Sequence, residues 1–310
     1  MTATNSGKLL FATESYQFLA PALADAGGWE VGRLEQKPFP DGEIYRRVVD
    51  DPWGRDVILL GGTPTDADWL EVYDYGCAIS RAGARSLSIV MPYFGYATME
   101  RAVLPGEVVT AKTRARLVSA IPPCEGGSRV FLFDLHTDGT EFYFGDSITT
   151  HHIYGAPIVT DAVRRIAGDR PYVLGATDAG RAKWVQSLAR TLGCSPAFVY
   201  KKRNASTWEL SVTGINADVR DHLVVIYDDM IRTGSSLLQA AHAYLEAGAR
   251  EVHAMASHLV LPGDALDRLL ASSISSVNGT DSHPTSVAVA ARGGIIVSTA
   301  PLLARAVARS

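Results

Sequence analysis

The stretch HLVVIYDDMIRTGSSLL, His222 to Leu238, decides the fold. Its apolar run, Leu223–Tyr227, is continuous rather than alternating, the pattern of a strand buried on both faces of a parallel sheet. Such a strand delivers Asp228 and Asp229 to the carboxyl edge of the sheet, where open α/β folds take their ligands. Arg232 to Ser236 then turns into a helix that the spacing predicts from near Leu237. A helix start offers backbone N–H groups and a positive dipole end. Gly234 lets the backbone approach closely. Thr233, Ser235 and Ser236 add hydroxyls, and Arg232 adds a fork of charged donors. These groups suit a phosphate monoester, and the two carboxylates suit neighbouring hydroxyls or a divalent cation. Phosphate beside vicinal hydroxyls describes a sugar phosphate. A plain strand–turn–helix with a solvated Asp pair and Ser/Thr caps accounts for the same residues, and on this stretch alone both readings stay open.

Outward from this stretch, similar runs recur: KLLFAT, DVILLGG, SLSIVMPY, RVFLFDLH, YVLGATD, PAFVYKK, EVHAMASH and SVAVA. Helical patterns such as ADWLEVYDYGCAISRAGA and SSLLQAAHAYLEAGA lie between them, the second stopping at Gly248. Strand–helix alternation predicts an α/β fold with mainly parallel sheets. The series runs twice, and the echo AGAR (Ala82–Arg85, Ala247–Arg250) suggests two similar units. THHIYGAP breaks the pattern near residues 150–157 and marks the expected junction.

The chain has 310 residues, 47% hydrophobic and 20% charged, with a formal charge of -4. That is enough for two domains with cores of their own. The charge argues against a nucleic-acid surface or a polybasic membrane face. Three cysteines, Cys77, Cys124 and Cys194, lie far apart. They form no disulfide framework or CxxC site, which points to a reducing compartment. No apolar run reaches membrane-spanning length, and a cytoplasmic protein is expected.

VVIYDDMIRTGSS resembles the phosphoribosyl-binding loop of type I phosphoribosyltransferases and of phosphoribosyl pyrophosphate (PRPP) synthetases. Arg232 stands where that loop has a third acid, and Ser235–Ser236 where it has Gly-Thr. Further stretches are similar to the synthetases in particular: FPDGE (Phe39–Glu43), PYFGYATMER with GEVVTAK, FDLHTDGTEFYFGD, VLGATDAGRAK, VYKKRN, TDSHP and VSTAPLLARAV. They run in the family's order along nearly the whole chain. Glu100–Arg101, TRARLVSAIPPCEGG and TEFYFGD resemble the plant-type class II branch. That branch accepts several nucleoside triphosphates and lacks activation by phosphate.

The resemblance implies two phosphoribosyltransferase-like α/β domains. A donor-side domain spans residues 1–152, rejoined by 299–310, and a ribose 5-phosphate domain spans 153–298. The implied reaction moves the diphosphoryl group of ATP, or another nucleoside triphosphate, to the C1 hydroxyl of ribose 5-phosphate with Mg²⁺. Lys201 and Arg203 become the catalytic pair. Asp228, Asp229 and Arg232 to Ser236 (Thr233, Gly234 and Ser235 between them) hold the sugar phosphate. Phe39, Asp41, Glu43 and Arg101 bind the nucleotide, and His136 and Asp178 hold the metal. In this family the FPDGE loop reaches a neighbouring subunit, so a homo-oligomer of at least two chains is implied. Asn204 departs from a usual arginine, and Thr98–Met99 from Arg-Gln. A non-catalytic paralogue, or a relative using another sugar phosphate or donor, remains open.

Overall fold

The computed structural model describes residues 7–177, 182–203 and 210–309, leaving aside the side chains of 182, 201–203 and 210–213. The chain divides into two compact units, Met1–Tyr154 with Thr299–Ser310, and Gly155–Ser298.

The first unit contains strands β1 (Leu9–Ala12), β2 (Glu30–Val31), β3 (Leu34–Pro38), β4 (Ile44–Val48), β5 (Asp56–Leu60), β6 (Ser86–Met91), β7 (Ser128–Phe133) and β8 (Thr149–Ile153). Its helices are α1 (Ala20–Gly27), α2 (Asp66–Arg81) and α3 (Thr110–Ser119), and the last helix of the chain, Ala300–Ala308, packs on α1. Lys8 Nζ donates to the Val307 carbonyl of that helix at 3.0 Å. Six strands form a parallel sheet in the order β2-β1-β5-β6-β7-β8, and β3 and β4 pair as a separate antiparallel hairpin. β1 and β6 are buried at every position, as both faces of a covered parallel sheet require.

The second unit contains α4 (Ala156–Ala167), β9 (Tyr172–Ala176), α5 (Ala182–Leu192), β10 (Ser195–Arg203), β11 (Leu210–Ile215), β12 (Leu223–Ile231), α6 (Ser235–Glu246), β13 (Glu251–Leu259), α7 (Ala265–Leu270), β14 (Ser276–Thr280), α8 (Ser286–Ala291) and β15 (Ile296–Val297). The sheet order is β11-β10-β9-β12-β13-β14-β15, parallel except for β11 against β10. With β11 set aside, this order repeats the first unit strand for strand: β9 takes the place of β1, β10 of β2, β12 of β5. Each sheet reverses its winding once, at β1/β5 and at β9/β12, the switch point where open α/β sheets bind ligands.

Four expectations change. β12 continues past Tyr227 to Ile231, because β13 is long enough to keep pairing: Met230 lies opposite His258 and Ile231 opposite Leu259. The Asp pair is therefore inside the strand rather than after it. The following helix starts at Ser235, not near Leu237, since the left-handed Gly234 (φ 75°) turns the chain and its carbonyl accepts from Leu238 N–H at 2.9 Å. SVAVA is a helix, α8, with Ser286 and Val289 buried one turn apart; five residues of alternating size fit either period. All of THHI lies in the edge strand β8, so only Tyr154–Gly155 separates it from the next helix.

Candidate active site

At the carboxyl edge of the second sheet, β12 presents Asp228 half-buried and Asp229 buried. Asp228 Oδ1 accepts from the Asp229 amide at 2.9 Å, and its Oδ2 accepts from Thr177 Oγ1 at 3.2 Å. Thr177 directly follows β9, so this hydrogen bond spans the switch point. Arg232, Thr233, Ser235 and Ser236 are exposed, whereas Gly234 is buried. A Cβ on Gly234 would lie 2.8 Å from Leu269 Cδ2, so both its φ and its packing demand glycine. Thr233 Oγ1 and Ser235 Oγ lie 3.3 Å apart, and Arg268 Nη2 donates to the Thr233 carbonyl at 3.3 Å, bracing the turn from α7.

The start of α6 has no side-chain cap and no acid in its first turn. Its first amides have no intrahelical acceptor, and the dipole leaves that end positive. Leu237, Ala240, Ala241 and Tyr244 form the buried stripe that fixes the helix on the sheet. A rigid, uncapped helix start beside a carboxylate pair can bind an anion and hydrogen-bond nearby hydroxyls together. The structure thus brings all seven residues predicted for the sugar phosphate to one sheet edge and adds Thr177.

Lys201 and Arg203 lie on β10, two strands from β12, opposite Val212 and Leu210 of β11. Their side chains lie outside the described residues, as does the whole of Asp178.

In the first unit, Phe39, Asp41 and Glu43 share the turn of the β3–β4 hairpin. Phe39 N–H donates to the Glu43 carbonyl at 2.7 Å, and Asp41 Oδ1 accepts from the Glu43 amide at 3.1 Å. The Asp41 carboxylate therefore shapes the turn as well as facing solvent. Phe39, Ile44 and Tyr45 are exposed apolar side chains on this hairpin. Tyr75 Oη donates to the Glu35 carbonyl at 2.9 Å and Arg46 pairs with Asp74 at 2.7 Å, which fasten the hairpin to α2.

Arg101 lies in the loop after β6, its side chain largely exposed beside Glu100 at 3.5 Å. His136 follows β7 and is half-buried. A 3-10 turn, Asp138–Tyr143, comes next, and Tyr143 Oη donates to the Glu100 carbonyl. This bond ties the His136 segment to the Arg101 segment. His152, on β8, went unrecognised in the sequence. Its Nε2 accepts from the Leu135 amide at 3.0 Å, which assigns the ring proton to Nδ1, 3.5 Å from Asp138 Oδ1. Burial holds this imidazole below its usual pKa, so it stays neutral and keeps its lone pair on the Leu135 N–H. No local signal marks His152 or Thr177, because each acts on a segment distant in sequence. Among the described residues, no group of three or more His, Cys, Asp or Glu could hold a metal.

Two family profiles match the chain: the N-terminal domain of ribose phosphate pyrophosphokinase over residues 8–121, and the phosphoribosyl synthetase-associated domain over 195–310. A ribose-phosphate pyrophosphokinase of Rhodopirellula baltica is 34% identical over 304 residues, covering 97% of this chain and 94% of its own. One from Gloeobacter violaceus is 32% identical over 278 residues, covering 89% and 81%. The crystal structure of phosphoribosylpyrophosphate synthetase from Mycobacterium smegmatis superposes with a TM-score of 0.84 at 27% identity, covering 97% of this chain and 98% of that one. Both sheets, both matched profiles and these near full-length alignments agree: the chain belongs to the ribose-phosphate pyrophosphokinase family of diphosphotransferase enzymes.

Proposed function

We propose that this protein transfers the diphosphoryl group of ATP to the C1 hydroxyl of ribose 5-phosphate, giving PRPP and AMP. The observation that carries the reading is the uncapped start of α6 beside the Asp228–Asp229 pair, a cradle for the 5-phosphate next to acceptors for ribose hydroxyls. Attack falls on the β-phosphorus, so the chain's work is alignment and stabilisation of negative charge. Lys201 and Arg203 supply that positive charge, an assignment that rests on the family resemblance. Phe39 stacks on the base, Asp41 and Glu43 contact its polar edge or ribose, and Arg101 meets donor phosphate.

Mg²⁺ is the proposed cofactor, offsetting the phosphate charge. It is a hard ion that takes few protein ligands and keeps substrate oxygens and water. His136 with Asp178, both assigned by resemblance alone, would make an open site rather than a closed cage. The segment after β6 favours loose donor choice and indifference to inorganic phosphate. Arg101 is its one cation between Thr98 and Val109, Met99, Val103, Leu104 and Val108 are exposed, and the Glu107 carboxylate already accepts from the Val103 and Leu104 amides at 2.6 and 3.0 Å. The exposed apolar hairpin supports a homo-oligomer of at least two chains. No helix among the described residues is long and apolar enough to cross a membrane.

The test is AMP release by purified protein with ribose 5-phosphate, Mg²⁺ and each of several nucleoside triphosphates, with and without inorganic phosphate. Turnover with more than one donor, unchanged by phosphate, is the expected result. No turnover with any donor overturns the reading.

A further inference from the structure

Among the described residues, β10 changes partners after Phe198. Its paired register with β9 ends at Phe198 opposite Ala176, whereas its pairing with β11 runs on from Val199 to Arg203. The described part of β10 that carries Lys201 and Arg203 is thus paired with β11 as a two-stranded arm, and its register shifts between Tyr200 and Lys201. A lone two-stranded ribbon is marginal by itself, so its direction is set at its base, and a bulge re-aims the strand that carries it.

At that base lies a side chain from α6. Tyr244 is fully buried, and its hydroxyl touches both sides of the β9–β10 seam. It accepts from the Ala176 amide at 3.2 Å and shares its proton between the carbonyls of Ala176 at 3.0 Å and Ala197 at 2.9 Å. Val224 and the ring share the space that a side chain at residue 175 would fill: a Cβ on Gly175 would lie 2.9 Å from Val224 Cγ1 and 3.1 Å from Tyr244 Cε2 and Cζ. Ala176 precedes Thr177, the donor to Asp228, and Ala197 lies four residues before Lys201. The same helix begins with the hydroxyl-rich turn, roughly 13 Å away along its axis.

We propose that Tyr244 is a positioning residue. Its hydroxyl pins the fork of β9 and β10, so that one rigid helix sets both the phosphate turn at its start and the direction of the arm that carries Lys201 and Arg203. Its importance to catalysis rests on the function proposed above; the pin itself does not. Sequence patterning shows only an apolar-stripe tyrosine, whose bland role is to fill the core.

Tyr244→Phe keeps the ring and removes the pin. In the full-length protein we expect ribose 5-phosphate affinity, measured calorimetrically without nucleotide, to stay within about twofold of the parent. Turnover per folded molecule falls about tenfold with little change in KM for the sugar, as for loss of an interaction expressed in the transition state. Amide exchange rises about tenfold over residues 197–203 and 210–215 while β12 and β13 keep their protection. A core-filling role alone, which phenylalanine keeps, leaves turnover per folded molecule and the arm's exchange unchanged; that result overturns the inference. If Tyr244→Phe does not fold, Gly175→Ala, which crowds the same ring together with Val224, must reproduce the direction of the turnover and exchange changes, and failure to do so is equally fatal. An inactive parent protein would defeat the functional reading instead, and the exchange pattern would still decide whether Tyr244 pins the arm.

Discussion

The two units build the same sheet order but begin the helix after the switch point in opposite ways. In the first, the turn after β5 enters α2 through a capping box. Asp68 Oδ2 accepts from the Thr65 amide at 2.8 Å and from Thr65 Oγ1 at 2.6 Å, while Asp68 Oδ1 accepts from Ser15 Oγ at 2.6 Å. Asp66, in the same first turn, accepts from Tyr96 Oη at 2.8 Å and from Arg114 Nη2 at 2.7 Å. Two of the chain's own carboxylates already occupy the positive end of α2. In the second unit, the turn after β12 enters α6 with no cap and no acid, only hydroxyls and a left-handed glycine. Topology supplies two equivalent edges; the residues at the helix start decide which one remains open to an anion.

The sharpest way to break this contrast is to make α6 resemble α2. Ser235→Asp places a carboxylate where the phosphate is expected. Affinity for ribose 5-phosphate should fall about 10²-fold, roughly 2.7 kcal/mol. Stability should hold or rise, because an acid at a helix start contributes about 0.3–1 kcal/mol. Calorimetric titration and a thermal melt read the two effects separately, and unchanged affinity would remove the phosphate from this turn.

The converse change is smaller. Asp68→Ala strips the cap of α2 and should cost about 1–2 kcal/mol of stability. Sugar-phosphate affinity, which the proposed function places in the other unit, should not move. Denaturant melts check the first expectation and titration the second; a loss of affinity as large as that of Ser235→Asp would mean that the two helix starts do not have separate roles.

The smallest effect is with pH. Burial lowers the pKa of His151 and His152 in the first unit and of His253 in the second. Each folded value lies below the unfolded value of about 6.5, so unfolding takes up protons. Their contribution to stability is complete above about pH 6.5 and is lost as pH falls from there toward the folded values. Melting temperatures should fall on acidification from pH 7.5 to 5.5. A flat profile would contradict the burial of these imidazoles.

Much of the fold is legible along the chain itself. Eight of the nine apolar runs are strands, because continuous burial on both faces leaves a strong one-dimensional mark. SVAVA misleads because five residues contain too few periods to separate a helix from a strand. Seven strands among the described residues escape notice: β2 and β15 are two residues long, β8 and β11 lie at sheet edges, β3 and β4 form a partly exposed hairpin, and β14 (SVNGT) has one apolar side chain. The turn proposed for the sugar phosphate is visible because its seven residues are nearly consecutive. Thr177 and His152 are not, because each acts on a partner many residues away: Asp228 in one case and the Leu135 amide in the other.

Local chemistry along the chain determined the alternation of strands and helices, the hydroxyl-rich turn and the family, since each is written in neighbouring residues. Which helix start stays uncapped was decided in three dimensions, because Asp68 and Asp66 draw partners from Ser15, Tyr96 and Arg114 on other elements. The same holds for the fork at β9 and β10. A tyrosine on a distant helix reaches both strands only after the sheet has formed, and hydrogen bonds across such sequence separations leave no periodic trace.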